Sequence, residues 1–335
     1  MKDVVILAIE SSCDETACAI VRNGNEILSS KVASQIDVHT KYGGVVPEVA
    51  SRIHVENISI VIKEALEESS LTMDAVDAIA VTVGPGLIGS LHIGVLAAKT
   101  LALTYHKPLV PVQHITGHIY ANAFVDELKF PLLALVVSGG HTELVIMKED
   151  YSFEEIGTTQ DDAIGEAYDK VGRVLELPYP GGPKIDKLAK EGKPVYQLPR
   201  VHTDNPLNFS FSGLKSAVMQ SIKRCERNGE KLNVPDMCTS FQEAALNHLW
   251  SRVEEALSTH EVKQLVLAGG VAANSRLREI CTEKMKKHPD VSYIIPPLAY
   301  CTDNAAMIGA SGYRAYLKGI TADLDVEADA SLELA

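Results

Sequence analysis

Val4-Val-Ile-Leu-Ala-Ile-Glu10-Ser-Ser-Cys-Asp14-Glu-Thr16-Ala-Cys-Ala-Ile-Val-Arg22 opens the chain as two apolar runs joined by a polar bend. Residues 4–9 have the length and continuity of a fully buried strand, and residues 17–22 form a second one. Asn23-Gly24-Asn25 is a hairpin signal, because Asn and Gly tolerate the left-handed backbone of a tight primed turn. Residues 26–34 then return as a third strand. The bend at 11–16 carries hydroxyls and carboxylates that can grip a phosphate or a hydrated cation. Read as a plain turn, it leaves Asp14 and Glu15 in solvent.

The same figure recurs further along. Residues 132–137 are an apolar run, Ser138-Gly-Gly-His141-Thr142 is the bend, and residues 143–147 return, with 151–156 as the candidate third strand. A second figure is also doubled. Residues 77–83, the glycine turn Gly84-Pro-Gly-Leu-Ile-Gly89-Ser90 and a helix over 91–105 are matched by a strand at 262–268, Gly269-Gly270 and a helix over 274–287. The pattern predicts a duplicated α/β unit, two lobes with a cleft between them. Phe130-Pro131 marks the boundary. The first lobe covers 1–129 and the second 130–320, with a helical insertion over about 161–260 and a last helix at about 303–318 that can pack on the first lobe. Residues 321–335 hold Asp323, Asp325, Glu327, Asp329 and Glu333 with no basic residue, which predicts a partly ordered or disordered acidic tail.

Composition narrows the function. The chain has 335 residues, 46% of them hydrophobic, and a net charge of −13. Such a chain does not bind nucleic acid by default, since phosphate contacts dominate that affinity. A local basic surface would have to come from Lys170, Arg173, Lys184, Lys187, Lys190, Lys193 and Arg200, most of which read first as a solvated helix face. The six cysteines show no CxxC spacing, so reduced thiols are expected. No apolar run reaches about 18 residues, and the first is too short for a signal core, so a cytoplasmic chain without membrane contact is expected.

His114-Ile-Thr-Gly-His118 follows the apolar run 109–112. On a helix from 114 to about 127 its two imidazoles lie one turn apart on one face, as a two-toothed metal clamp or as ordinary helix histidines. A third ligand is best sought in Cys301-Thr-Asp303-Asn304, where Asp303 could equally be the N-cap of the last helix. Two imidazoles and a carboxylate suit iron or zinc. The residue after His114 is Ile115, so the general base of an HExxH protease is missing, and no Gly-x-Ser-x-Gly elbow is present. The Ser138–Thr142 bend and Gly269-Gly-Val-Ala-Ala-Asn274 each suit an anion, the first through backbone N–H groups exposed by glycine and the second through a helix start.

These blocks, taken in order, resemble a known family, the tRNA adenosine threonylcarbamoyltransferases (TsaD family, once known as O-sialoglycoprotein endopeptidases), in their bacterial form. The resemblance runs through Glu10-Ser-Ser-Cys-Asp-Glu-Thr16, Tyr42-Gly-Gly-Val-Val-Pro-Glu48, Gly84-Pro-Gly-Leu-Ile-Gly89, His114-Ile-Thr-Gly-His118, Val137-Ser-Gly-Gly-His-Thr142, Pro180-Gly-Gly-Pro183, Phe209-Ser-Phe-Ser-Gly-Leu-Lys215, Ala268-Gly-Gly-Val-Ala-Ala-Asn274 and Cys301-Thr-Asp-Asn304. It implies the actin, Hsp70 and sugar-kinase-like (ASKHA) fold. It implies one divalent metal on His114, His118 and Asp303, iron first, with zinc or magnesium as alternatives. Val137, Ser138, Gly139, Gly140, His141, Asp169, Gly182, Asp186 and Asn274 would hold the adenylate part of the substrate. The implied reaction moves threonylcarbamoyl from threonylcarbamoyl-AMP to the N6 amine of adenosine-37 in tRNAs reading ANN codons. Asp14 or Glu15 is the candidate base for the amine proton, or Asp14 instead orients water. TsaB-like and TsaE-like proteins and an upstream TsaC/Sua5-type synthase are the implied partners. The rivals are an ATPase or sugar kinase of the same superfamily and a silent scaffold paralogue, which should lack the three ligands.

Overall fold

The computed structural model describes residues 3–199, 201 and 203–334. Arg200, one of the cations of the expected basic surface, lies outside the described residues. In chain order the protein forms β1 (Val5–Glu10), β2 (Glu15–Arg22), β3 (Glu26–Ser34), α1 (Ile36–Thr40), α2 (Pro47–Ser69), β4 (Ala78–Gly84), α3 (Ile88–Tyr105), β5 (Leu109–Gln113) and α4 (His114–Tyr120). Next come β6 (Leu132–Val137), β7 (Thr142–Met147), β8 (Glu154–Thr158), α5 (Ile164–Val174), α6 (Gly181–Ala189), α7 (Ser212–Arg227) and α8 (Val234–Thr259). The chain closes with β9 (Gln264–Ala268), α9 (Ser275–Lys284), β10 (Ser292–Ile294) and α10 (Ala305–Leu317). Two compact units result. Unit 1 is residues 1–128, 150–152 and 296–335, and unit 2 is residues 129–149 and 153–295.

The duplication is carried strand for strand. Unit 1 has the sheet order β3-β2-β1-β4-β5 and unit 2 the order β8-β7-β6-β9-β10. In each, the first three strands form an antiparallel meander and the last two add in parallel. The first turn is the one the Asn-Gly pair predicts, with Asn23 and Gly24 at φ of 53° and 70°.

The central strand of unit 1 shows why it is apolar throughout. Side chains alternate across a strand, so both faces of β1 need cover. Val5, Leu7 and Ile9 join Val61, Ala65, Val95 and Ala98 on the α2/α3 side. Ile6 and Ala8 join Ala305, Ala306, Met307 and Ile308 of α10 on the other. Full burial of each large aliphatic side chain stabilises by about 1.5–3 kcal/mol. Helix α10 sits close to the sheet because its contact positions are small. A Cβ at Gly312 would lie 2.5 Å from Ala80, and one at Gly309 would lie 2.6 Å from a methyl of Val21.

Some local readings shift. The helix from His114 ends as an α-helix at Tyr120 and continues as a 3-10 turn over Ala121–Phe124. The third strand of unit 2 is Glu154–Thr158. The last helix begins at Ala305 and is capped by Asn304, whose Oδ1 accepts the Met307 N–H at 3.0 Å. Asp303 is therefore relieved of the capping role. Helix α3, Ile88–Tyr105, is long and apolar enough to cross a membrane by length and composition, which the absence of a long apolar run did not foresee. Its Leu91, Val95, Ala98 and Ala102 are buried in unit 1.

Of the partly ordered or disordered tail expected, the structure shows an ordered one. Ala322 pairs with Leu109, the Asp329 N–H donates to Val83 O, and Ala330 O accepts the Gly86 N–H. Val326, Ala328 and Leu332 pack on the core while Asp325, Glu327 and Asp329 face solvent. Composition alone hid this alternation, because acidic residues outnumber the few apolar ones that anchor the strap.

Candidate metal and adenylate sites

Strand β5 ends at Gln113, whose side chain caps α4 by accepting the N–H groups of Ile115 and Thr116 at 2.7 and 3.1 Å. The cap fixes where α4 starts, and the i,i+4 spacing then stacks His114 and His118 with ring centroids 4.7 Å apart. Gly117 lies against Ile308, so α4 approaches α10 closely and meets the residues just before it. Asp303 Oδ1 stands 3.6 Å from His114 Nε2 and 3.1 Å from His118 Nε2. One ligand atom from each of the three residues falls within 4.8 Å of the others. Metal–ligand bonds of about 2.0–2.2 Å impose donor separations of about 3.0–3.5 Å, so the triad suits a first-row divalent ion.

The state of His118 supports that fit. It is 1% exposed, and neither ring nitrogen has a hydrogen-bond partner. The 3.1 Å approach to Asp303 lacks hydrogen-bond geometry, so it is a close contact and not a bond. A buried imidazole without partners is costly, and a cation is the partner that imidazole and carboxylate can share.

Behind His114 stands Glu10, fully buried at the end of β1. Its carboxylate accepts the Thr82 hydroxyl at 2.6 Å and the Ser12 N–H at 2.5 Å, and lies 3.0 Å from His114 Nδ1. The Ser12 hydroxyl is 3.2 Å from the same nitrogen. A carboxylate can only accept, so Nδ1 carries the proton and Nε2 is turned towards Asp303. Burial works to raise the Glu10 carboxyl, but the adjacent His114 brings it below its ordinary value. Burial likewise opposes charge on His114, yet Glu10 and Asp303 raise it to about 9. The pocket thus attracts positive charge at the position a cation would take.

The polar bend Ser11–Thr16 borders this cluster. It is gripped on several sides: Ser11 Oγ donates to Ser90 O at 2.9 Å, Ser12 O accepts the Leu87 N–H at 2.7 Å, and Gly86 lies against Ser12. His54 ties its far end, with Nδ1 2.8 Å from Thr16 Oγ1 and Nε2 2.9 Å from Cys13 O. Burial, Asp303 and Asp14 together push the Glu15 carboxyl up to about 10, and Ser34 Oγ donates to Glu15 at 3.2 Å. Glu15 therefore holds its proton at neutral pH. Burial also pushes the Cys13 thiol well above its usual range, which removes it as a nucleophile.

The remaining candidates lie in unit 2. Val137 ends β6, and the bend that follows closes on itself: Ser138 N–H donates to His141 O at 2.8 Å, and His141 N–H donates to Ser138 Oγ at 3.0 Å. Gly139 and Gly140 are exposed, with open space where a Cβ would stand. Ser138 O accepts the Gly165 N–H at the start of α5. Asp169, on α5, accepts the Gly181 N–H at 2.7 Å beside Gly182, and burial raises its carboxyl. Asp186, on α6, accepts the Ser275 N–H and hydroxyl at 3.2 and 2.9 Å. Asn274 caps α9 through Leu277 N–H and donates to Gln242 Oε1 at 2.9 Å. These bonds link the bend, α5, α6 and the start of α9 into one patch of unit 2.

The family model for TsaD, tRNA N6-adenosine threonylcarbamoyltransferase, matches residues 26–310. The chain belongs to the TsaD family. Proteins named tRNA N6-adenosine threonylcarbamoyltransferase from Geobacillus kaustophilus and Listeria welshimeri are 55% and 57% identical to it, each over 99% of this chain and 98% and 97% of the relative. Among solved structures, HypF from T. kodakarensis aligns over 95% of this chain and 48% of its own, with a TM-score of 0.63 at 15% identity. The Acidaminococcus fermentans (R)-2-hydroxyglutaryl-CoA dehydratase component A aligns over 93% and 97%, with a TM-score of 0.52 at 14% identity. At these identities the likeness establishes the duplicated ASKHA fold. Two residues of the unit 1 site escaped the reading of the sequence, Glu10 as the support of His114 and Thr82 as the donor to Glu10. The available signal was a single charged residue closing a strand of buried aliphatics.

Proposed function

We propose that this chain transfers threonylcarbamoyl from threonylcarbamoyl-AMP to the N6 amine of adenosine-37 in tRNAs reading ANN codons. The family assignment supports the reaction class. The observation that carries the chemistry is the buried, unpartnered His118 beside His114 and Asp303.

His114 Nε2, His118 and Asp303 would hold one divalent metal, iron first, with zinc or magnesium as alternatives. Such an ion supplies Lewis-acid polarisation of a substrate oxygen in a site of low dielectric. Glu10 fixes the tautomer and direction of His114. The amine of adenine is a weak nucleophile because its lone pair is delocalised, so positioning matters more than basicity. Asp14 accepts the proton the amine releases, while the hydrogen-bonded Glu15 keeps its own proton and limits repulsion beside Asp303. In unit 2, Gly139 and Gly140 let backbone approach the adenylate phosphate, with His141 as a further donor. Asp169, Gly182, Asp186 and Asn274 shape the nucleoside end. We assign TsaB-like and TsaE-like partners, a TsaC/Sua5-type supplier of the adenylate and a cytoplasmic setting. The exposed Val55, Ile60, Leu96 and Leu103 of α2 and α3 support a protein partner on unit 1.

The test is threonylcarbamoyl transfer to tRNA in a reconstituted assay, with metal content measured on the same samples. His114→Ala and Asp303→Ala should each lose the metal and reduce transfer at least about 100-fold, with cooperative melting near that of the metal-free parent. Full transfer by a variant that holds no metal would remove the triad from the mechanism. Steady ATP consumption without tRNA would favour the kinase-like rival.

A further inference from the structure

The charge of this chain is unevenly divided. Unit 1 holds 10 Lys and Arg against 22 Asp and Glu, whereas unit 2 holds 21 against 22. Nearly all of the net −13 therefore lies in unit 1, and unit 2 is close to neutral. Within unit 2 the balance tips locally. Residues 215–231, α7 and its exit, carry five cationic residues against two acidic ones.

Three of those cations line a groove. Between Gln197 and Pro199 on one wall and α7 on the other lies a cavity of about 930 Å³, to which Lys223, Arg224, Glu226 and Arg227 contribute. Lys223, Arg224 and Arg227 are exposed, and none forms an ion pair among the described residues. Lys223 and Arg227 stand four residues apart on one face, about 6 Å along the helix axis. Lys170, by contrast, is taken up by Asp162 and Glu166 at 2.6 and 2.8 Å.

We propose that this α7 groove docks the sugar–phosphate backbone of the RNA substrate. The inference rests on the reading that the chain acts on tRNA, and it names where an acidic chain finds attraction for a polyanion. Unpaired cations facing one open groove suit phosphates, which take charge-assisted hydrogen bonds from Arg and a point charge from Lys. Glu226 lines the same groove, where the three cations outnumber it. The contact is independent of base sequence, as a backbone contact is.

Two charge-matched variants of the full chain test it. Lys223→Gln/Arg227→Gln removes two groove cations, and Lys286→Gln/Lys287→Gln removes two exposed cations elsewhere in unit 2. Binding of a tRNA transcript is measured between about 50 and 200 mM salt, with transfer activity of the parent recorded alongside. The groove pair should weaken binding about tenfold or more and lower the salt slope by about 1.4–1.8, while the control pair leaves both unchanged. If the groove pair melts early, Arg224→Gln alone should still lower the slope by about 0.7–0.9. Parent-like binding by the groove variants, or equal loss from both pairs, overturns the proposal. So does activity lost only when protein partners are present, which would mark an acidic protein as the occupant. A parent that transfers threonylcarbamoyl while the groove variants bind normally leaves the reaction standing and the groove refuted. A parent that neither binds tRNA nor transfers overturns both.

Discussion

Glu10 holds three donors at once, from Thr82, Ser12 and His114, with no exposure to solvent. Its negative charge is what orients His114, so a neutral isostere separates charge from shape. Glu10→Gln should weaken divalent-metal affinity about 10–100-fold, as loss of a carboxylate behind a metal-binding imidazole does elsewhere, and should also lower the melting temperature of the metal-free protein, because the new NH2 faces a buried donor. Competition against a chromophoric chelator reads this without any assay of turnover. Parent-like affinity would show that His114 is oriented by Ser12 alone. At this scale much was legible. The i,i+4 histidines announced themselves through spacing, and Asp303 through its place before the last helix. The role of Glu10 was not legible, because its partner His114 lies 104 residues away in sequence. A chain read in order offers no distance between such residues.

The loop before α7 is an element whose stability depends on pH. Asp161 accepts Phe211 N–H at 2.7 Å and the Ser210 and Ser212 hydroxyls at 2.5 and 2.7 Å. Beneath it His248 Nε2 accepts the Ser210 N–H at 3.3 Å, with Phe209 and Phe211 around the ring. That bond needs a lone pair on Nε2. Burial, and then Arg252, lower His248 to about 4. The folded state therefore binds fewer protons than the unfolded one between the ordinary imidazole value of about 6.5 and that lower one. Stability contributed here is present above about pH 6.5 and is lost as pH falls towards 4, at up to about 1.4 kcal/mol per unit. Urea unfolding should show the parent losing stability over this range faster than His248→Gln, whose amide oxygen can still accept from Ser210. Identical pH profiles would mean that His248 titrates normally. Most elements of the fold were legible from periodicity, since buried strands and amphipathic helices write their period into the sequence. The strap at the C-terminus was not, because a few anchoring side chains among many acids leave almost no periodic signal.

At the scale of the whole molecule, metal binding and folding are linked. An ion that binds only the folded chain stabilises it by about 2.7 kcal/mol when present at 100 times its Kd. Titration with Fe2+ or Zn2+ should therefore raise the melting temperature of the parent in a concentration-dependent way and leave His118→Ala unmoved. An equal rise in both would place the ion elsewhere. The sequence by itself determined the duplication, the class of fold and the family, because these rest on local patterns and ordered motifs that survive without coordinates. It also placed two imidazoles on one turn. Only the tertiary structure decided that the acidic tail joins the last helix in the first unit, that Asn304 and not Asp303 caps that helix, and that Glu10 stands behind His114. The division of charge between the units emerged only there as well. Each of these depends on residues far apart in the chain meeting through the packing of sheet and helix. Burial and the demand that buried polar groups be satisfied set those meetings, and a one-dimensional pattern does not record them.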